Sequence, residues 1–134
     1  MKQRMLVVEN NSPRRELLCD WLQAEGFEVS AAEDLERAFA AFTNHSPCAV
    51  LLDVQSGPEG GLTLPAWMRT GLRLQTIPVI AVTARATVID QERVIQSGCN
   101  ACISRPLDFQ LLRERLQHWL TIAKAFQQNV DGEQ

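Results

Sequence analysis

Strand-length apolar runs recur five times along this chain, each followed by a segment of helical periodicity, and this alternation constrains the fold more than any other feature. The runs are RMLVV (4–8), the weaker FEVSAA (27–32), CAVLLD (48–53), IPVIAVT (77–83) and ACIS (101–104). Near-continuous apolar strands separated by helices predict a parallel sheet, because crossovers cover both of its faces and leave no polar side to alternate with. Helix signals agree. Asn11 or Ser12 caps a helix with Pro13 at its start, and Leu17, Leu18, Trp21 and Leu22 form its apolar face until Gly26 stops it. Asp34 caps LERAFAAFTN, a short helix is expected over Leu62–Arg69, VIDQERVIQSG ends at Gly98, and Asp108 caps a long last helix carrying Leu112, Leu116, Trp119, Leu120 and Ala123. The segment QQNVDGEQ is polar and expected to fray.

The ends of the strands carry polar groups. Glu9 and Asn10 follow the first, Asp53 ends the third, Thr83 ends the fourth, and Arg105 with Pro106 follows the fifth. Each could be a turn residue taken singly. In an open parallel sheet, however, all of them emerge at the carboxyl edge, where ligands bind near the reversal of strand order. Two carboxylates, an amide, a hydroxyl and a guanidinium can hold a hard divalent cation through oxygen and a phosphoryl group through the hydroxyl and the positive charges. The chemistry this predicts is phosphoryl transfer.

Other classes are excluded by composition. A chain of 134 residues with 46% hydrophobic content supplies one core and leaves no room for a second domain. Thirteen basic against sixteen acidic residues give a charge of −3 with no basic cluster, which excludes direct nucleic-acid binding. The apolar runs fall far short of the roughly 20 residues that cross a bilayer, and no signal peptide opens the sequence, so the expected compartment is the cytoplasm. Cys19, Cys48, Cys99 and Cys102 are expected as reduced core thiols. Cys99 and Cys102 form a C-x-x-C, but no second pair or paired histidines exist to complete a zinc shell.

VVENN, LLDV, AVTA and ISRP, in that order and each at a strand end, resemble the receiver domain of two-component response regulators, the CheY-like superfamily. The resemblance covers residues 4 to about 125, with 126–134 left as a polar tail. It implies a flavodoxin-like, doubly wound five-stranded sheet of order 2-1-3-4-5 with five helices. It makes Asp53 the phosphoacceptor, with Mg²⁺ held by Glu9, Asn10, Asp53 and the Gln55 backbone carbonyl, and Thr83 and Arg105 binding the phosphoryl group. Thr83 and Cys102 fall at the switch positions. The partner is expected to be a histidine kinase or histidine phosphotransfer protein docking on Arg14, Leu17 and Leu18, with signalling by protein contacts and no enzyme activity of its own. Three residues depart from the family pattern. Asn10 replaces an aspartate and should weaken Mg²⁺ binding, Arg105 replaces a lysine, and Cys102 replaces an aromatic switch residue. The loop with Pro58 and Gly60-Gly61 is expected to be more mobile than usual. The alternative reading is a pseudo-receiver, an interaction module that works without phosphate; an enzyme acting on a phosphorylated metabolite has no positive support.

Overall fold

The computed structural model describes residues 2–54, 61–84 and 87–132, with side chains described as far as residue 127. Its elements alternate strictly: β1 (Arg4–Val8), α1 (Ser12–Ala24), β2 (Glu28–Ala32), α2 (Leu35–Asn44), β3 (Ala49–Asp53), α3 (Thr63–Met68), β4 (Val79–Thr83), α4 (Val88–Gln96), β5 (Ala101–Ser104) and α5 (Phe109–Gly132). The strands form one parallel sheet in the order β2-β1-β3-β4-β5, the expected doubly wound topology. The expected caps are in place: Asn11 Oδ1 accepts from Arg14 N–H, Asp34 Oδ1 from Arg37 N–H, and Asp108 Oδ1 from the N–H groups of Gln110 and Leu111.

Burial explains the unbroken apolar runs. Every residue of β3 and β4 is buried, because alternate side chains enter two separate cores. Leu6, Val8, Val50, Leu52, Val79 and Ala81 pack beneath α2, α3 and α4. Met5, Val7, Ala49, Leu51 and Ile80 pack on the other face against Leu18 and Leu22 of α1 and Leu112 and Leu116 of α5. Leu17 departs from the expected stripe: it is 55% exposed, since only Leu18 and Leu22, one turn apart, point straight at the sheet. The polar segment QQNVDGEQ, expected as a frayed tail, is entered by the last helix. α5 continues to Gly132. There Phe126 joins Trp119 and Ile122 along a cleft walled by Pro78, and Thr76 Oγ1 donates to Gln127 Oε1 at 3.5 Å.

At the amino edge of the sheet, Arg69 performs a role that the sequence does not advertise. Its Nε donates to Gly98 O (2.9 Å), and its Nη1 donates to the carbonyls of Leu74, Gln75 and Ile77 (3.2, 3.1 and 3.0 Å). Its Nη2 donates to Asn100 Oδ1 at 2.9 Å, and the same oxygen accepts the Val79 N–H at 2.8 Å. One guanidinium thus satisfies the loop between α3 and β4 and the turn before β5. Gly98 is required there on two counts: its φ is +116°, and a Cβ would stand 2.9 Å from Arg69 Cγ and 3.0 Å from Pro65 O. A lysine could not reach this spread of acceptors. Arg69→Lys and Asn100→Ala should each lower unfolding free energy by about 1–3 kcal/mol through buried groups left unpaired. Urea denaturation checks this, and an unchanged midpoint in both would contradict the network.

Candidate functional site

The sheet register assembles the polar residues. Val8 pairs with Leu52 and Asp53 with Val82, so Glu9 and Asp53 leave adjacent strands at the same edge. Thr83 lies opposite Ser104, and Arg105 follows with its N–H donating to the Thr83 carbonyl at 2.8 Å. Glu9 is fully buried, and Asp53 and Thr83 are each 5% exposed. Carboxylates this far from water need compensation.

Arginine supplies most of it. Arg105 Nη2 donates to Glu9 Oε1 at 2.9 Å and lies 3.5 Å from Asp53 Oδ1, so one nitrogen serves both acids. Arg14 Nη1 stands 3.9 Å from Glu9 Oε1. Arg15 Nη1 donates to the Glu9 backbone carbonyl at 2.9 Å, which ties the start of α1 to the end of β1. Sequence reasoning reserved Arg14 for a partner and overlooked Arg15. The available signal was their place in the first turn of the helix that follows Glu9. Compensation remains incomplete, because Glu9 Oε2 is buried with no hydrogen-bond donor among the described residues. Burial pushes the Glu9 carboxyl up from about 4.5 to about 7; hydrogen bonding and charge repulsion from Asp53 act in the same direction, and Arg105 opposes them.

The other expected residues are placed less uniformly. Asn10 is exposed immediately after Glu9. Gln55 and the loop from there through Gly60 lie outside the described residues, so the expected carbonyl ligand and loop mobility do too. Cys102 lies opposite Ala81, on the face that also receives Val94 and Cys99 and two residues before the Thr83–Ser104 pair. Thr83 and Cys102 therefore share the α4 side of the sheet. Leu18 is 4% exposed and faces the core, so only Arg14 and Leu17 of the expected docking set reach the surface. All four cysteines are free thiols, and burial pushes Cys99 up to about 12 and Cys48 up to about 11, values of inert core residues.

The donor set fits a hard cation. Two carboxylates meet at one edge, one presents an oxygen without a donor, and an amide stands next in sequence. Among the described residues, no cluster of three or more His, Cys, Asp or Glu side chains accompanies them.

The raised Glu9 value carries a sign. Between about 4.5 and about 7 the folded protein binds a proton that the unfolded chain has released, so stability falls as pH rises through that window. The loss attributable to Glu9 is up to about 3 kcal/mol. Denaturation at pH 5, 6 and 7.5 in chelator, with Glu9→Gln as reference, should show the native protein losing ground to the variant as pH rises. Parallel profiles would contradict the assignment.

A profile of the response regulator receiver domain matches residues 5–117. The polar-differentiation response regulator DivK of Brucella ovis is 33% identical over 120 residues, which cover 90% of this chain and 98% of DivK. A CheY-like receiver domain protein from Methanospirillum hungatei superposes with a TM-score of 0.82 at 21% identity, covering 93% of this chain and 98% of that one. NtrX from Brucella abortus superposes with a TM-score of 0.85 at 24% identity, and there the match spans 98% of this chain but 29% of NtrX. These two structures share the fold, and the profile and the DivK identity fix the family: the chain belongs to the response regulator receiver domains.

Proposed function

We propose that Asp53 accepts a phosphoryl group from a phosphohistidine on a histidine kinase or phosphotransfer protein, and that the phosphorylated domain signals through protein contacts. The observation that carries this reading is the placement of Asp53 at the end of β3, 5% exposed, with an arginine nitrogen 3.5 Å from its Oδ1 and Thr83 ending the neighbouring strand. In the transfer, an Asp53 carboxylate oxygen forms a bond to phosphorus while the phosphorus–nitrogen bond breaks. The electron pair returns to the imidazole of the donor. Asp53 becomes an acyl phosphate, and the gain in rate comes from positioning and charge stabilisation. The Thr83 hydroxyl is suited to donate to one phosphoryl oxygen and the Arg105 fork to others. Glu9, Asn10 and Asp53 would hold Mg²⁺, which when bound screens repulsion between the anionic nucleophile and the anionic phosphoryl group. The domain acts as acceptor and relay and catalyses no reaction of a separate substrate.

The pseudo-receiver reading draws on two observations: Arg105 is already engaged with both acids, and Asn10 contributes no charge. Intact mass after incubation with Mg²⁺ and a small phosphoramidate donor separates the two. One added phosphoryl group, absent in Asp53→Ala, is the expected outcome; no addition to the native chain would favour the interaction module. Restoring the acid by Asn10→Asp should tighten Mg²⁺ binding about tenfold, since a unit charge at a few ångströms contributes on the order of 1 kcal/mol or more. Equal affinity by NMR titration would remove Asn10 from the coordination set.

A further inference from the structure

We propose that the end of α5 is the surface through which two copies of this chain form an antiparallel dimer, each inserting Phe126 into a cleft on the other. Leu112, Leu116, Trp119, Ala123 and Phe126 follow one another at alternating steps of four and three residues, the spacing of a helix seam that packs on a partner. The sheet uses the first half of that seam, where Leu112 and Leu116 are buried. Past them the seam overruns the amino edge and opens into a cleft of about 220 Å³, walled by Trp119, Ile122, Ala123 and Phe126 on one side and by Pro78 and Asn100 on the other. Phe126 is 56% exposed and Ile122 44%.

Shape and charge both select a second copy. A cavity of roughly 150 Å³ takes up benzene, so this cleft has room for one aromatic ring. Trp119, Ile122, Ala123 and Phe126 stand at i, i+3, i+4 and i+7, the four corners of a hole that receives one side chain from a facing helix. Phe126 is on the rim, so its ring can fill a partner's cleft and not its own, and two-fold symmetry gives each copy the same ring and the same hole. Setting Phe126 of one helix level with the Ile122–Ala123 step of the other, in antiparallel sense, brings the exposed His118 alongside the turn that holds Asp131 and the exposed Arg115 to the carbonyl end of the partner helix. That end needs a cation: α5 has no basic residue in its own last turn and carries Asp131 there, against the preference of the helix dipole. A parallel pair would instead set Arg115 against Arg115. The contact lies at the amino edge of the sheet, so it stands independently of the chemistry at Asp53.

The test is sedimentation velocity on the full chain over a concentration series, with circular dichroism showing that each variant is folded. The native chain should associate reversibly as a dimer. Phe126→Ala should weaken association about a hundredfold, because each dimer loses two buried rings. Ala123→Trp fills the cleft from within and should weaken it about tenfold; if that variant fails to fold, Phe126→Ala, at an exposed position, carries the test alone. Arg115→Glu should weaken association about fivefold at low salt and less as salt is raised. A native chain that is monomeric at every concentration overturns the proposal and leaves the cleft to a helix of a different protein. A dimer that Phe126→Ala leaves as tight as before places the contact elsewhere and overturns it too, and one indifferent to Arg115→Glu at low salt overturns the antiparallel register.

Discussion

Two acidic side chains from adjacent strands, Glu9 and Asp53, are held where water barely reaches them, and the rest of the edge is arranged around that repulsion. The sheet forces the encounter. With both faces packed, the register of β1 on β3 is fixed by two cores at once, and a slip of one residue would turn every apolar side chain to the wrong side. Arg105 arrives from β5 to bridge the pair. Breaking such a bridge by removing one partner costs far more than the bridge contributes, since the acids would stay buried. Its worth is best seen as specificity: a cluster of opposed charges that settles into one arrangement.

Much of this was legible in the chain. Strand ends could be read because apolar runs stop abruptly on polar residues, and a parallel sheet makes all such ends coincide. The caps at Asn11, Asp34 and Asp108 were legible for a similar reason, being local hydrogen bonds within three residues. What escaped was long range or a matter of angle. Arg69 bonds to Gly98 and Asn100, about thirty positions away, and nothing near it in sequence marks it as the centre of a network. Leu17 and Leu18 look alike in a periodic pattern, yet one helical step of about 100° separates solvent from core. Arg14 reads as a surface residue until the turn after β1 brings it toward Glu9.

The persistence of α5 past residue 125 has the same origin. QQNVDGEQ is polar and looks like a tail, but helix formation is cooperative, and a long apolar stripe anchored by Leu112 and Leu116 carries the last turns with it. Phe126 and Ile122, both substantially exposed, extend that stripe beyond the sheet it serves.

The Arg69 junction gives the two ends of the sheet different mechanical characters. Where that guanidinium gathers carbonyls from α3–β4 and the turn before β5, loosening one strand means breaking several directional bonds together. At the opposite end, among the described residues, the ionic contacts of Arg105 and Arg14 with the acids stand beside backbone bonds such as Arg105 N–H to Thr83 O. Slow amide-hydrogen exchange should therefore be graded along each central strand rather than uniform across it, with a rigid hinge line at the amino edge and compliance concentrated around the acids. A domain built this way can rearrange its ionic contacts near Asp53 while its far end holds a fixed frame.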